Sequence, residues 1–279
     1  MNSVLVLIPC HNNKEGVLKS LESIGREEQA DVLVVDDGSQ PELPHEELIE
    51  AFRGRGQLYL LRFPSNKGIV TALNAGARYA SDQGYKYIAR LDAGDENRPD
   101  RLSLQQNFLE ANPGYVIVGG WVEFVTPKGE RLFTLKHPIE DGEIRQAIYR
   151  YNPFVHPAVM MRTKALIEIG GYPDGYPALE DWACFLELAA VGQMANLPRV
   201  LLSYEVSPTS ISTKKRFTQS RSKVALLAHH FRWNTNQVRG LVRNVILMLF
   251  PRAILTWLKK VLKGRRERSQ ANIGHGGNQ

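Results

Sequence analysis

The chain is poor in cysteine, in long apolar runs and, over its last quarter, in acid. Cys10 and Cys184 are its two cysteines among 279 residues. That is too few for a disulfide framework or a structural zinc site, and two thiols fit a reducing compartment. Met1-Asn2-Ser3 carries no positive charge and the apolar run behind it stops at Pro9, so no secretory signal is expected and a cytoplasmic address is. No apolar stretch reaches the ~18 residues that a spanning helix needs. The most apolar part, near the C-terminus, is broken by Arg243, Pro251 and Arg252. No G-x-G-x-x-G follows the first apolar run, which speaks against a nucleotide-dependent oxidoreductase. Pro9-Cys10-His11-Asn12 is not the glycine- and arginine-rich loop that a sugar nucleotidyltransferase would need there.

The missing acid is a matter of distribution. Residues 1–200 hold 20 Lys and Arg against 27 Asp and Glu, whereas residues 201–279 hold 15 against 2. The net charge of +6 therefore hides an acidic body with a basic tail, and such a tail suits an anionic surface. A hydrophobic content of 43% and a charged content of 23% are those of an ordinary globular domain.

Periodicity predicts strands at Val4–Ile8, Val32–Val35, Leu58–Leu61 and Tyr87–Leu91, separated by helical patterns through Val17–Ile24, Pro44–Phe52 and Ala72–Ala80. Unbroken apolar strands alternating with helices imply a parallel sheet covered on both faces. Beyond residue 115 the pattern mixes. Strands are predicted at Val116–Val118, Val122–Val125, Arg131–Leu135, Ala158–Met161 and Val200–Tyr204, and helices at Ile144–Tyr149, Thr163–Ile169 and Asp181–Val191. A domain boundary falls near residues 205–215, where acidity ends.

Two acidic clusters stand at strand ends: Asp36-Asp37-Gly38-Ser39 and Asp92-Ala93-Gly94-Asp95. In an open α/β sheet, ligands bind outside the carboxyl ends of the strands. Carboxylates gathered there suit a divalent cation, a ribose or a base edge. A third pair, Glu180-Asp181, opens a helical pattern.

Taken in order, Pro9-x-x-Asn12, Asp36-Asp37-Gly38-Ser39, Asn66-Lys67-Gly68 with Asn74-Ala75-Gly76, Asp92-x-x-Asp95, Gly170-Gly171-Tyr172 and Glu180-Asp181-Trp182 resemble glycosyltransferase family 2 over roughly residues 3–212. The resemblance implies a GT-A fold: α/β, a Rossmann-like, mostly parallel sheet with flanking helices. It implies a catalytic domain over 1–212, here followed by a helical basic tail over 213–268 and a disordered end at 269–279. The activity implied is inverting transfer of one sugar from a UDP- or dTDP-type nucleotide sugar. Pro9 and Asn12 would touch the base, and Asp37 would accept from a uracil-type imide. Asp36 would hold the ribose or the structure, and Asn66 and Gly68 would form the loop over the nucleotide. Asp92 and Asp95 would bind Mn2+ or Mg2+ and the donor diphosphate, although Gly94 stands where relatives usually carry the principal metal ligand.

Asp181 would be the general base, kept ionised by the helix N-terminus, with Glu180 positioning it or contacting the acceptor. The stretch Tyr204–Ser212 has Glu205 and Ser207 where relatives often have Arg and His. Diphosphate binding would then lean on Ser210, Ser212, Lys214 or Lys215. No Gln-x-x-Arg-Trp occurs, which favours single addition over processive synthesis. His156 and Arg162 sit where relatives have an acceptor-side strand. Core packing is the first reading for His156, Trp121, Trp182 and Tyr172.

After Pro251, the residues Arg252, Thr256, Lys259, Lys260 and Lys263 share one helical face and Ile254, Trp257, Leu258 and Val261 the other. That is the pattern of a helix lying in a membrane interface, and Arg265, Arg266 and Arg268 add charge for anionic lipid. The expected partners are a nucleotide-sugar donor, a glycan acceptor carried on lipid, and a membrane surface met through 252–268. Packing of this helix on the domain is the alternative. No basic groove interleaved with aromatics appears, so nucleic acid is not an expected partner. The rival to an enzyme is a non-catalytic relative that binds nucleotide or glycan as a regulatory module. Gly94, Glu205 and Ser207 favour that rival, while Asp37, Asp92, Asp95 and Asp181 oppose it.

Overall fold

The structure is a computed structural model that describes residues 2–206, 216–231 and 235–249. Ser207, Ser210, Ser212, Lys214 and Lys215, the amphipathic pattern over 252–268 and the end at 269–279 lie outside the described residues. Four parallel strands carry the first half: β1 (Val4–Cys10), β2 (Asp31–Asp36), β3 (Leu58–Arg62) and β4 (Tyr87–Arg90). Between them run α1 (Lys14–Glu22), α2 (His45–Ala51) and α3 (Ile69–Asp82). The reason β1 is apolar throughout is visible in its packing. Leu5 and Leu7 enter one core with α3, and Val4, Val6 and Ile8 enter the other with α1 and α2. A strand whose side chains alternate between two buried faces leaves no position for a polar residue.

The chain steps β1, β2, β3 in one direction and then returns to lay β4 on the free side of β1. The sheet order therefore reverses between β1 and β4, and their carboxyl ends open the crevice in which ligands of such sheets bind. Beyond β4 the sheet is mixed. It continues through β8 (Met160–Arg162), β6 (Tyr115–Val125), β9 (Gln193–Glu205) and β5 (Glu96–Asn97), with β7 (Arg131–Leu135) paired on β6. The pairs β4–β8, β6–β8, β6–β7 and β5–β9 are antiparallel and β6–β9 is parallel. The remaining helices are α4 (Arg101–Ala111), α5 (Asp141–Ala147), α6 (Thr163–Glu168) and α7 (Glu180–Val191). After them come α8 (Arg216–His229) and α9 (Thr235–Leu249).

Three departures from the sequence reading have physical causes. The strands expected at Val116–Val118 and Val122–Val125 are one strand, β6. Its Gly119 and Gly120 are not breaks: a Cβ there would lie 2.3 Å from Asn196 Oδ1 and 2.4 Å from Leu201 Cδ1. β9 begins at Gln193 rather than Val200, and shifts of register around Trp121 absorb its passage through Pro198. The helix α4 was not foreseen. Its neighbouring Asp100 is left-handed and makes no side-chain cap. The cap comes from buried Glu28, whose carboxylate accepts from Leu102 N at 2.9 Å and Ser103 N at 3.1 Å.

The first helices of the basic segment lie on the body. Leu226 and Leu227 of α8 join the core cluster of α3 and α7. On α9, Arg243 Nη1 donates to Arg150 O at 2.6 Å. No helix among the described residues is long and apolar enough to cross a membrane.

Candidate active site

The loops after β1 and β2 are laced together. Asn12, with φ 55°, donates from its backbone to Ser39 Oγ at 2.9 Å and accepts Gln40 N on Oδ1 at 2.8 Å. His11 Nδ1 lies 2.8 Å from Asp37 O. Pro9 and Cys10 are inside β1, buried and level with Val35 and Asp36, so the loop proper is His11–Asn13. The Cys10 thiol is pushed up to about 11, chiefly by burial, and is unreactive.

The two aspartates after β2 face different ways. Asp36 is fully buried and accepts from Ser39 N, Leu43 N and Arg62 Nε. Burial raises its pKa, but the bonds from Ser39, Leu43 and Arg62 outweigh it and hold the carboxyl below its ordinary value. Asp37 reaches across to the loop before α3 and accepts Lys67 N at 2.6 Å and Gly68 N at 2.9 Å. Gly38 permits that approach, since a Cβ there would sit 2.4 Å from the Ser65 carbonyl carbon. Asn66 is exposed at the crest of this loop.

The acidic loop after β4 is pinned to α1 by a serine that sequence reasoning passed over. Buried Ser20 shares its one O–H between Asp92 O at 3.0 Å and Asp95 O at 2.8 Å, and its Oγ accepts from Gly94 N at 3.0 Å. Asn13 Nδ2 adds a bond to Ala93 O at 3.0 Å. Asp92 keeps 42% of its side chain exposed, with Oδ1 held at 2.6 Å by Arg90 Nη2. Asp95 is buried. Its Oδ1 accepts Glu205 N at 3.1 Å, and among the described residues Oδ2 meets no hydrogen-bond partner. Burial first, and the Asp92 charge second, raise Asp95 well above the usual carboxylate range. Glu205 pairs with Lys19 at 2.8 Å and ties the end of β9 to α1.

Glu180 and Asp181 form the first turn of α7. Asp181 Oδ2 accepts Asn152 Nδ2 at 2.7 Å and Oδ1 accepts Trp182 N at 2.7 Å. The helix N-terminus does not by itself set the ionisation of Asp181. Its pKa is raised to about 7 by burial and then by the Glu180 charge, with Asp92 adding to the rise. Removing water and crowding in like charge outweigh the dipole of one helix end. The Asp92 charge raises Asp95, Glu180 and Asp181 alike, so the four carboxylates are linked electrostatically. Tyr204 is linked to them too. Its hydroxyl is pushed up to about 12 by burial and by Asp95, Asp92 and Asp181.

Among the described residues no group of three or more His, Cys, Asp or Glu side chains gathers to hold a metal ion. Asp92 and the orphaned oxygen of Asp95 nevertheless fit a hard cation that brings its other ligands with it. Mg2+-type ions are commonly bound by one or two carboxylates plus phosphate oxygens and water. A Cβ on Gly94 would point into open space, so the loop leaves room beside Asp92.

The other sequence candidates are structural. Trp182 is buried and donates to Ile148 O at 2.8 Å. Arg162 binds the carbonyls of Tyr115 and Leu109. Asn74 and Tyr172, from two motifs ~100 residues apart in the chain, are each other's partners: Tyr172 N donates to Asn74 Oδ1 at 2.7 Å, and Asn74 Nδ2 to Tyr172 O at 2.9 Å. Arg90 and Asn152 were missed. A lone arginine in the apolar run before Asp92 was the available signal for the first; the second had none.

Residues 5–170 match the profile of Glycosyl transferase family 2. An uncharacterized glycosyltransferase of Haemophilus influenzae is 30% identical over 235 residues, which is 82% of this chain and 85% of that one. The UDP-Gal:alpha-D-GlcNAc-diphosphoundecaprenol beta-1,3-galactosyltransferase of Escherichia coli is 26% identical over 259 residues, 91% of this chain and 92% of that one. Among solved structures, the mannosyltransferase PcManGT of Pyrobaculum calidifontis, in complex with GDP-Man and Mn2+, matches with a TM-score of 0.63. It is 16% identical and covers 94% of this chain and 80% of its own, a likeness of fold.

Proposed function

The chain belongs to glycosyl transferase family 2, and from that premise we propose an inverting, single-addition glycosyltransferase using a UDP- or dTDP-type sugar. Its acceptor is a hydroxyl of a lipid-linked glycan in surface polysaccharide assembly. The observation that carries the reading is Asp181: an acid in the first turn of α7, oriented by Asn152, with a pKa raised to about 7. A general base works best when its pKa lies near the working pH.

In the reaction, the acceptor oxygen attacks the anomeric carbon from the face opposite the leaving group. Its proton passes to Asp181, and the electron pair of the breaking C–O bond leaves with the diphosphate. Glu180 sits beside Asp181 and keeps its proton affinity high. The nucleoside lies over the His11–Asn13 loop and the loop before α3 that Asp37 holds, with Asn12, Asp37, Asn66 and Gly68 shaping the base pocket. Asp36 acts through the loop it anchors. Asp92, with Asp95, would hold Mn2+ or Mg2+ beside the diphosphate; such an ion supplies positive charge to the leaving group.

A lipid-linked acceptor is supported by the relative named for a diphosphoundecaprenol substrate and by the basic, amphipathic pattern of 252–268. That segment would place the enzyme on the cytoplasmic face of a membrane. The test is transfer from UDP-sugars by wild type and Asp181→Asn. Loss of transfer with retained UDP binding supports the assignment, and normal transfer by the variant removes it. UDP binding with no turnover by wild type would favour the regulatory-module reading.

A further inference from the structure

Arg90 is a cation inside an apolar strand and is fully buried. A buried guanidinium is costly unless its N–H groups find acceptors. Here all three nitrogens do: Nη1 donates to Leu7 O, Nη2 to Asp92 Oδ1 at 2.6 Å and Nε to His156 Nε2 at 3.3 Å. The same imidazole nitrogen lies 2.9 Å from Tyr172 OH. Arginine offers no acceptor, so His156 Nε2 carries a lone pair, and Tyr172 must donate to it as well. Burial, then the Arg90 charge, hold His156 well below its usual range, in keeping with a neutral ring. At its other end Tyr172 is clamped by Asn74 through two hydrogen bonds. Tyr172 lies in the segment that leads into α7 and Asp181.

We propose that Arg90 is a positioning residue for the donor site, and this rests on the reading of Asp92 as a donor-side carboxylate. By holding Oδ1, Arg90 turns Asp92 so that Oδ2 is presented to the donor diphosphate and its cation. Through His156 and Tyr172 the same guanidinium ties the acidic loop to the segment before α7. It thereby sets the separation of Asp92 from the base. A lysine at this position keeps the charge but reaches one of the three acceptors instead of all of them.

The test is calorimetric binding of UDP in the presence of Mn2+ to the full chain as wild type, Arg90→Lys, Asp92→Asn and the double variant. Arg90→Lys should weaken UDP binding about tenfold. In the Asp92→Asn background the same change should add nothing, since residues acting through one another are not additive. Wild-type affinity in Arg90→Lys, or a full additional loss in the double variant, overturns the proposal while leaving the donor site intact. A wild type that binds no UDP with Mn2+ removes the donor reading and this inference with it. Should Arg90→Lys not fold, Tyr172→Phe carries the test. It keeps the ring, cuts the link from Arg90 and His156 to the segment before α7 and should weaken UDP about threefold; unchanged affinity overturns the proposal.

Discussion

At the scale of single residues, the proposed function rests on Asp181 as general base, with its surroundings setting the pH at which it would act. Replacing it by asparagine should cost at least about 100-fold in transfer while sparing UDP binding, as removing a general base does. Because only the ionised carboxylate takes the proton, the transfer rate should climb with pH through about 7. Asn152 donates to that carboxylate and favours its charged form. Asn152→Ala should therefore move the rise in the rate profile to higher pH. Stability runs the opposite way. Asp181 binds its proton more tightly folded than unfolded, so the stabilisation is complete below about pH 4 and is lost as pH climbs through about 7. Asp181→Asn should accordingly gain more in Tm over wild type at about pH 8.5 than at about pH 5.

At the scale of elements, the acidic loop is held by α1 through Ser20 and by β9 through Glu205, and α4 stands on the cap that Glu28 provides. Glu28→Ala should cost about 1–2 kcal/mol in urea unfolding, the worth of a lost helix cap. The first four strands were legible from their apolar runs, unbroken in β1, which is buried on both faces, and still clear in half-buried β3. The acidic clusters were legible because they follow those strands directly. What escaped depends on partners distant in the chain. The cap of α4 lies ~70 residues upstream, and Gly119 and Gly120 look like breaks until Asn196 and Leu201 are packed against them. No local pattern tells that Asp36 turns inward while Asp37 holds the loop before α3. For Asp181 the sequence showed a helix start but not the burial and crowded charge that outweigh it.

At the scale of the whole molecule, the sequence is an acidic body with a basic tail; on the proposed function the body would bind the donor and the tail would set the location. The helices α8 and α9 rest on the body, with Leu226 and Leu227 in its core. A chain ending after residue 249 should therefore keep its UDP site. It should lose binding to vesicles containing anionic phospholipid, and in the full chain that binding should weaken with salt. The central claim is that the carboxylates at the ends of β2 and β4 form a site for a nucleoside diphosphate and its cation. Thermal denaturation of the full chain with UDP, dTDP, GDP and CMP, each with and without Mn2+, tests it most directly. The account predicts that UDP or dTDP raises Tm with Mn2+, and does so equally in Asp181→Asn. No rise with any of the four nucleotides, with or without the metal, would contradict it.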